Sequence, residues 1–383
     1  MQMAFCLFKY FPYGGLQRDF MQFYQAAVNK GHKIRVYCIE WQGERPAGID
    51  IHFVPAKSFT NPGRNSLFEN YILNHLESYP VDLVVGFNKI AGLDVYYAAD
   101  SCYEYKAQCE RGWFYRQTPR YKHFSKAESE IFFKGKKTKI LLISDSEKEK
   151  FIRFYDTEPE RMFMLPPGIP KDRRAPENAQ YIRKQFRQEY GLNDDEKLLL
   201  FIGSGFIKKG LGRAILALAS LTKAQQKKTR LFVIGQDKEY RYKKLAEKHR
   251  VSKQVVFLGG RDDVPRFLLG ADLLIHPALD EAAGIVILEA VVAGLPVLVT
   301  DVCGYAHHIA KAVCGIVLRS PFVQAELNRS IGNVFDENIT QQWKANALEY
   351  ANKEDLYSMH QTGIKIMEET CEQLLNLNSG KHA

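Results

Sequence analysis

Short apolar runs alternate with longer amphipathic stretches along the whole chain. That rhythm predicts strand, helix, strand, and hence parallel sheets covered by helices on both faces. The runs place strands at Ala4–Phe8, Lys33–Ile39, Leu83–Phe87, Lys139–Ile143 and Met162–Leu165. A second series falls at Leu198–Gly203, Leu231–Gly235, Val255–Gly259, Leu273–His276, Val297–Thr300 and Gly315–Leu318. Between the series lies PPGIPKDRRAPEN (Pro166–Asn178), where four prolines and a run of charge predict an interdomain linker. From Thr340 to Leu377 the pattern is helical with no further strand, and the closing NSGKHA is expected to fray. The boundaries drawn are therefore 1–168, 169–345 and 346–383.

The bulk properties agree with this division. A chain of 383 residues is too long for one ordinary core and comfortable for two α/β domains. An apolar fraction of 46% and a charged fraction of 25% are those of a soluble globular protein. No stretch is long and apolar enough to predict a membrane span. The longest candidate, Ala282–Thr300, carries Glu289 and is cut by Gly294 and Pro296, which predicts a buried helix and then a strand. MQMAFCLFKY lacks the basic start of a secretory signal, so the protein is expected in the cytoplasm. Seven scattered cysteines with no Cys-x-x-Cys pair argue against a disulfide framework or a structural zinc site. A formal charge of +9 calls for polyanionic company: nucleic acid, an anionic membrane face or phosphorylated substrates.

Candidate chemistry begins at the glycine loops. The first strand runs into FPYGGLQRDF, so Gly14 and Gly15 sit at a strand-to-helix turn, where close backbone approach and free amides suit a phosphate. A plain tight turn would read the same. The second series opens with LLLFIGSGFIKKGLGRAI, where Gly203, Gly205 and Gly210 surround Lys208 and Lys209. Glycine flexibility with cationic neutralisation is what a diphosphate needs, although a solvated basic loop also fits. Arg173, in the linker, could add a third cation.

The most specific stretch is HPALDEAAGIVILEAVVAGLPVL (His276–Leu298). With a helix starting near Ala282, Glu281 and Glu289 would point to similar faces about two turns apart. A first-turn glutamate is ordinary, but Glu289 among such apolar neighbours needs a partner. Sugar and ribose hydroxyls would supply partners for both. The small residues Ala282, Ala283 and Gly284 would leave helix amides open to a phosphate. His276 reads as a strand-end core residue rather than a base.

The segment E-A-A-G-I-V-I-L-E-A followed by A-G-L-P-V resembles the donor motif of family four of the retaining glycosyltransferases. With K-Y-F-P-x-G-G-L-Q-R-D-F, T-N-P-G-R-N, G-F-N-K and V-C-G-Y-A-H, the chain is similar to the lipopolysaccharide core glucosyltransferase I type from about Ala4 to Tyr357. The resemblance implies a GT-B fold: two facing Rossmann-like domains, the first binding acceptor and the second nucleotide sugar, with a C-terminal helix crossing back to the first. It implies UDP-glucose as donor, a heptose of the lipopolysaccharide core as acceptor, and a cytoplasmic enzyme peripheral on the inner membrane. By the same resemblance Glu281 contacts the transferred sugar, Glu289 the ribose, and the amides of Ala282, Ala283, Gly284 and Ile285 the sugar and phosphate. Gly15, Lys208, Lys209 and Arg173 would meet the diphosphate, and the backbone at Asp263 and Val264 the uracil. The chain departs from the family pattern at Gly205, usually acidic, and at Lys208, usually arginine, which keeps a cation but loses a bidentate fork. Retention in this family is thought to need no protein nucleophile, so the work is positioning and stabilising the departing diphosphate. No Asp-x-Asp tripeptide occurs, and neither metal nor cofactor is expected. Asp19 and Asp100 follow apparent strand ends and could touch the acceptor; a helix cap for Asp19 and a loop hydrogen bond for Asp100 are the ordinary alternatives.

One segment remains. YEYKAQCERGWFYRQTPRYKHFSK (Tyr103–Lys126) sets six cations, Lys106, Arg111, Arg116, Arg120, Lys122 and Lys126, among Trp113, Phe114, Tyr115, Tyr121 and Phe124. Rings at the headgroup boundary and cations on an anionic leaflet suit a membrane surface. Nucleic acid would like the same composition, but a lipid-anchored acceptor favours the membrane, and no nucleic-acid partner is expected. Arg64 could also meet acceptor phosphates. Alternatives to the glucosyltransferase reading are another retaining hexosyltransferase on a different glycolipid, a sugar-nucleotide epimerase of the same fold, or a basic non-enzymatic adaptor.

Overall fold

The computed structural model describes residues 1–12 and 14–379, without the side chains of 377–379. The end of the tail expected to fray, from Gly380 on, lies outside the described residues. Two compact units emerge: Met1–Gly168 together with the residues from Ser358 onward, and Ile169–Tyr357.

Unit one is built on seven strands, β1 (Gln2–Tyr10), β2 (Lys33–Trp41), β3 (Asp50–Phe53), β4 (Leu83–Gly86), β5 (Val95–Ala98), β6 (Lys139–Leu142) and β7 (Met162–Met164). Their order in the sheet is β3-β2-β1-β4-β5-β6-β7, every pairing parallel. Successive side chains of β1 leave by opposite faces. Ala4 and Cys6 join Tyr37, Tyr96, Ile140 and Leu142 in one apolar layer. Phe5 faces the other way, against Phe20 of the helix Gly15–Asn29 and against Phe87, with ring centroids 6.1 and 5.4 Å away. The helix Met359–Ser379 packs on Gly15–Asn29. A Cβ at Gly363 would stand 2.4 Å from the Phe23 ring, so glycine permits the close approach. Glu368 accepts hydrogen bonds from Lys30 and His32 at 2.7 and 2.8 Å and closes the contact.

Unit two holds β8 (Lys197–Ile202), β9 (Thr229–Ile234), β10 (Val255–Phe257), β11 (Leu273–His276), β12 (Val297–Thr300) and β13 (Gly315–Leu318). The order is β10-β9-β8-β11-β12-β13, again parallel throughout. Leu198 and Leu200 belong to one core cluster and Leu199 and Phe201 to another, which is why this strand reads as an unbroken apolar run. In both units the strand order reverses at the first strand, between β1 and β4 and between β8 and β11. Such a switch point opens a crevice at the carboxyl ends of the strands.

Three expectations are revised. Asp50–Phe53 and Val95–Ala98 are strands that the sequence pattern did not flag: the first is a short edge strand and the second a four-residue run, buried at every position. The long helical stretch is two helices, Glu337–Lys353 in unit two and Met359–Ser379 in unit one. The chain between them is extended at Glu354 and buries Leu356, whose carbonyl accepts from Ile169 N at 2.9 Å. The expected linker is also shorter than Pro166–Asn178. From Ile169 on, the chain belongs to unit two, where Ala175 N donates to Val292 O at 2.9 Å.

Arg161 closes the far side of the first sheet. Its guanidinium donates to the carbonyls of Ile131, Phe132, Phe133 and Thr138 and pairs with Glu158. Arg161→Met would strand these buried acceptors, and we expect it to lower the unfolding free energy by about 3 kcal/mol in chemical denaturation.

Candidate functional site

Because every strand of unit two runs the same way, the loops that follow β8, β9, β11 and β12 gather along one edge. Glycines set their spacing. Gly203, Gly205 and Gly210 all have positive φ (139°, 76° and 79°). A Cβ at Gly210 would stand 1.9 Å from Pro277 O, and one at Gly235 2.5 Å from Gly203 O. The backbones themselves therefore touch. Lys208 O accepts from Leu279 N at 2.6 Å, and Arg213, which stacks on Phe322 at 3.8 Å, donates to Pro277 O and Ala278 O at 3.2 and 2.9 Å. Composition and motif gave no reason to single out Arg213, because its role is to brace a loop distant in sequence.

This packing unites the predicted pair of loops. Lys209 forms an ion pair with Glu281, while Lys208 points outward, 67% exposed, with Nζ 3.4 Å from Asp280. Burial is the main cause that pulls the Lys209 ammonium below its usual pKa. Glu281 pairs as an isolated bridge with Cys303, Tyr305 N donates to Ala283 O at 2.9 Å, and a Cβ at Gly304 would collide with Ala282 O. The V-C-G-Y segment thus braces the small-residue loop after Glu281. Sequence reasoning set His276 aside as core, and it is fully buried. Its Nε2 nevertheless lies 3.5 Å from the Glu281 carboxylate. Burial first, and then the charge of Lys209, hold its pKa down at about 3, so the ring is neutral.

The helix after this loop starts later than expected. Gly284 occupies the left-handed region as N-cap, and the helix runs Ile285–Val292. Glu281 and Glu289 therefore do not share a helix face: Glu281 is held by the bridge, and only Glu289 lies on the helix, 4% exposed. Asp263 is the N-cap residue of the helix Val264–Gly270, and its carboxylate is gripped by Arg261 through two 2.8 Å hydrogen bonds. Arg173 ends a short 3₁₀ turn at the start of the unit, its Nε buried without a hydrogen-bond partner among the described residues.

Unit one has its own edge. A Cβ at Gly14 would strike Gln17, whose amide donates to Lys9 O at 3.0 Å, whereas the space over Gly15 is open. Ends of β1 and β2 and the loops after β4 and β5 line a cavity of about 410 Å³ with Phe8, Lys9, Asn88, Lys89 and Asp100, joined by Asn61, Arg64, Tyr103 and Phe124. Asp19 lines none of it. It is the fifth residue of its helix rather than a cap, buried, and accepts from Tyr97 OH at 2.7 Å.

The basic aromatic segment forms one wall of that cavity. Fully buried Glu128 accepts from the amides of Tyr103 and Glu104 at 2.9 Å, from Tyr155 OH at 2.7 Å, and from Lys89 at 2.5 Å. Burial acts to lower the Lys89 pKa, but Glu128 and its other anionic neighbours outweigh it and the net shift is upward. The aromatics divide. Tyr103, Tyr115 and Tyr121 bond inward, Tyr121 to Glu104 at 2.7 Å, while Trp113 and Phe114 stand 59% and 81% exposed. No helix among the described residues is long and apolar enough to cross a membrane.

Residues 182–353 match the family model described as "Glycosyl transferases group 1". The chain is 47% identical, over 96% of its length and 98% of the relative's, to the lipopolysaccharide glucosyltransferase WaaG of Escherichia coli K12. The chain belongs to the WaaG family of glycosyltransferases. The crystal structure of WaaG, described as a glycosyltransferase involved in lipopolysaccharide biosynthesis, superposes with a TM-score of 0.90, covering 95% of this chain and 99% of that one. Sucrose-phosphate synthase from Thermosynechococcus elongatus shares the fold, with a TM-score of 0.74 at 15% identity over 100% of this chain and 99% of that one. The fold is GT-B, with two Rossmann-like parallel-sheet units.

Within this glycosyltransferase, the contact between Gly210 and Pro277 sets where Lys209 meets Glu281. Gly210→Ala would force a side chain into the left-handed region and onto a backbone oxygen. We expect it to destabilise the protein by about 2 kcal/mol in urea titration and to lower transferase turnover beyond what the unfolded fraction explains.

Proposed function

We propose that this glycosyltransferase moves glucose from UDP-glucose to a heptose of the lipopolysaccharide inner core, with retention of anomeric configuration. The observation that carries the reading is the Lys209–Glu281 pair at the carboxyl edge of unit two, braced on both sides, in a chain 47% identical to a lipopolysaccharide glucosyltransferase. Glu281 takes hydroxyls of the transferred sugar, and the amides of Ala282, Ala283, Gly284 and Ile285 take sugar and phosphate. Glu289 takes the ribose, and the backbone at Asp263 and Val264 the uracil. Lys208, Lys209 and Arg173 meet the diphosphate. Negative charge grows on that group as the glycosidic bond breaks, so preorganised cations and amides lower the barrier without a metal. The cavity of unit one receives the acceptor heptose: its amides and charged pairs suit hydroxyls, Tyr103 and Phe124 suit a sugar face, and Asp100 stands in its lining.

The acceptor is a lipid, and the same wall of the cavity continues into Arg111, Trp113, Phe114, Arg120 and Lys122, all exposed. We place the enzyme on the cytoplasmic face of the inner membrane through this segment.

For the chemistry, Glu281→Ala should reduce turnover of UDP-glucose by about a hundredfold or more while UDP still binds. Glu289→Ala should weaken UDP binding itself by about tenfold, measured by calorimetry. Transfer should persist in EDTA; undiminished turnover in Glu281→Ala, or a strict need for a divalent ion, would overturn the assignment. For the membrane, each cation near an anionic leaflet contributes about 1 kcal/mol. Vesicles containing phosphatidylglycerol should retain the protein at low salt and release it at high salt. Replacing Arg116, Arg120, Lys122 and Lys126 together by Gln, or Trp113 and Phe114 by Ser, should reduce that retention and leave transfer to a delipidated acceptor nearly intact. Cosedimentation equal to the parent's would place the membrane contact elsewhere.

A further inference from the structure

His276 is fully buried at the end of β11, its ring stacked on Phe201 with centroids 6.4 Å apart. Among the described residues neither ring nitrogen has a hydrogen-bond partner. A buried polar group left unpaired is costly, so a ring with two needs an explanation. Its Nε2 is 3.5 Å from Oε2 of Glu281, just beyond hydrogen-bond reach, and that same oxygen is held by Lys209.

The donor reading asks two things of this triad that conflict. Lys209 must turn to the diphosphate as charge builds there. Glu281, whose side chain is only 13% exposed, then loses its cation while it must stay fixed against the sugar. A buried carboxylate stripped of its partner is strongly destabilised. Only a donor already in place and electrically neutral can take over without competing with Lys209 for the role of cation.

We propose that His276 is a positioning residue that exchanges with Lys209: as Lys209 swings to the leaving diphosphate, His276 Nε2–H closes on Glu281 Oε2 and holds the carboxylate against the sugar. The gap to close is a few tenths of an ångström beyond an ordinary N–H···O contact. Because burial keeps the ring neutral, it carries one N–H, and the exchange requires the Nε2–H tautomer with Nδ1 bare.

The inference rests on the donor site proposed above, and the test separates the two. With UDP-glucose, His276→Phe should lower kcat by about tenfold to a hundredfold and leave the affinity for UDP within about threefold, because UDP lacks the sugar that Glu281 grips. His276→Gln, which can present an amide N–H at the Nε2 position, should recover most of the lost kcat. In the parent protein labelled with ¹⁵N-histidine, His276 should appear as the Nε2–H tautomer and its Nε2 signal should move when UDP-glucose binds. Equal impairment of the Phe and Gln variants, an unimpaired Phe variant, or an Nδ1–H tautomer in the bound state overturns the exchange. A parent that turns over no UDP-glucose overturns the donor reading and this inference with it.

Discussion

A parallel sheet buried on both faces leaves polar chemistry only the ends of its strands. In unit two this constraint is visible residue by residue: Leu198 to Phe201 alternate between two apolar clusters, and the first polar positions come at the loop that follows β8. Adjacent loops then compete for the same narrow edge, and three glycines settle how closely they approach. Gly210 lies on Pro277, Gly235 on Gly203 and Gly304 on Ala282, each where a Cβ would overlap a backbone oxygen. The meeting of Lys209 with Glu281 follows from these contacts.

How much of this the sequence disclosed depended on whether the signal was local. Strands of unit two, the glycine-lysine loop and the glutamates of the motif are local signals, and their positions in the chain were legible. What failed was inference across a backbone conformation. Assigning Glu281 and Glu289 to one helix face assumed continuous helix from Ala282, and the left-handed turn at Gly284 breaks it. Bracing between loops distant in sequence was invisible for the same reason. Arg213 holds a loop 64 and 65 residues away, and Cys303 pairs with Glu281 across the sheet edge. Aromatic composition likewise flagged Tyr103–Lys126 without telling which rings face inward; only the hydroxyl bonds of Tyr103, Tyr115 and Tyr121 separate them from Trp113 and Phe114.

Two lysine-glutamate pairs, Lys89–Glu128 in unit one and Lys209–Glu281 in unit two, are built differently. Glu128 is saturated: two amides, a phenol and the Lys89 ammonium all donate to it. Networks so fully satisfied are rigid, because moving any member leaves another buried group unpaired. That pair fixes the start of the basic aromatic segment to the floor of the first unit's cavity, so the wall and the floor keep one geometry.

Glu281 is the opposite case. Its Oε2 has the Lys209 ammonium and, slightly too far, a neutral imidazole whose nitrogens have no hydrogen-bond partner among the described residues. Burial already works against the charge on Lys209, whereas the Lys89 charge is reinforced beyond its ordinary range. An ammonium that its surroundings disfavour is the easier one to draw toward a new anion, and a carboxylate with a second donor in waiting is the easier one to release it. The Lys89 ammonium is locked to a carboxylate that three further donors hold in place, whereas among the described residues the Lys209 ammonium pairs with a carboxylate that no such network surrounds.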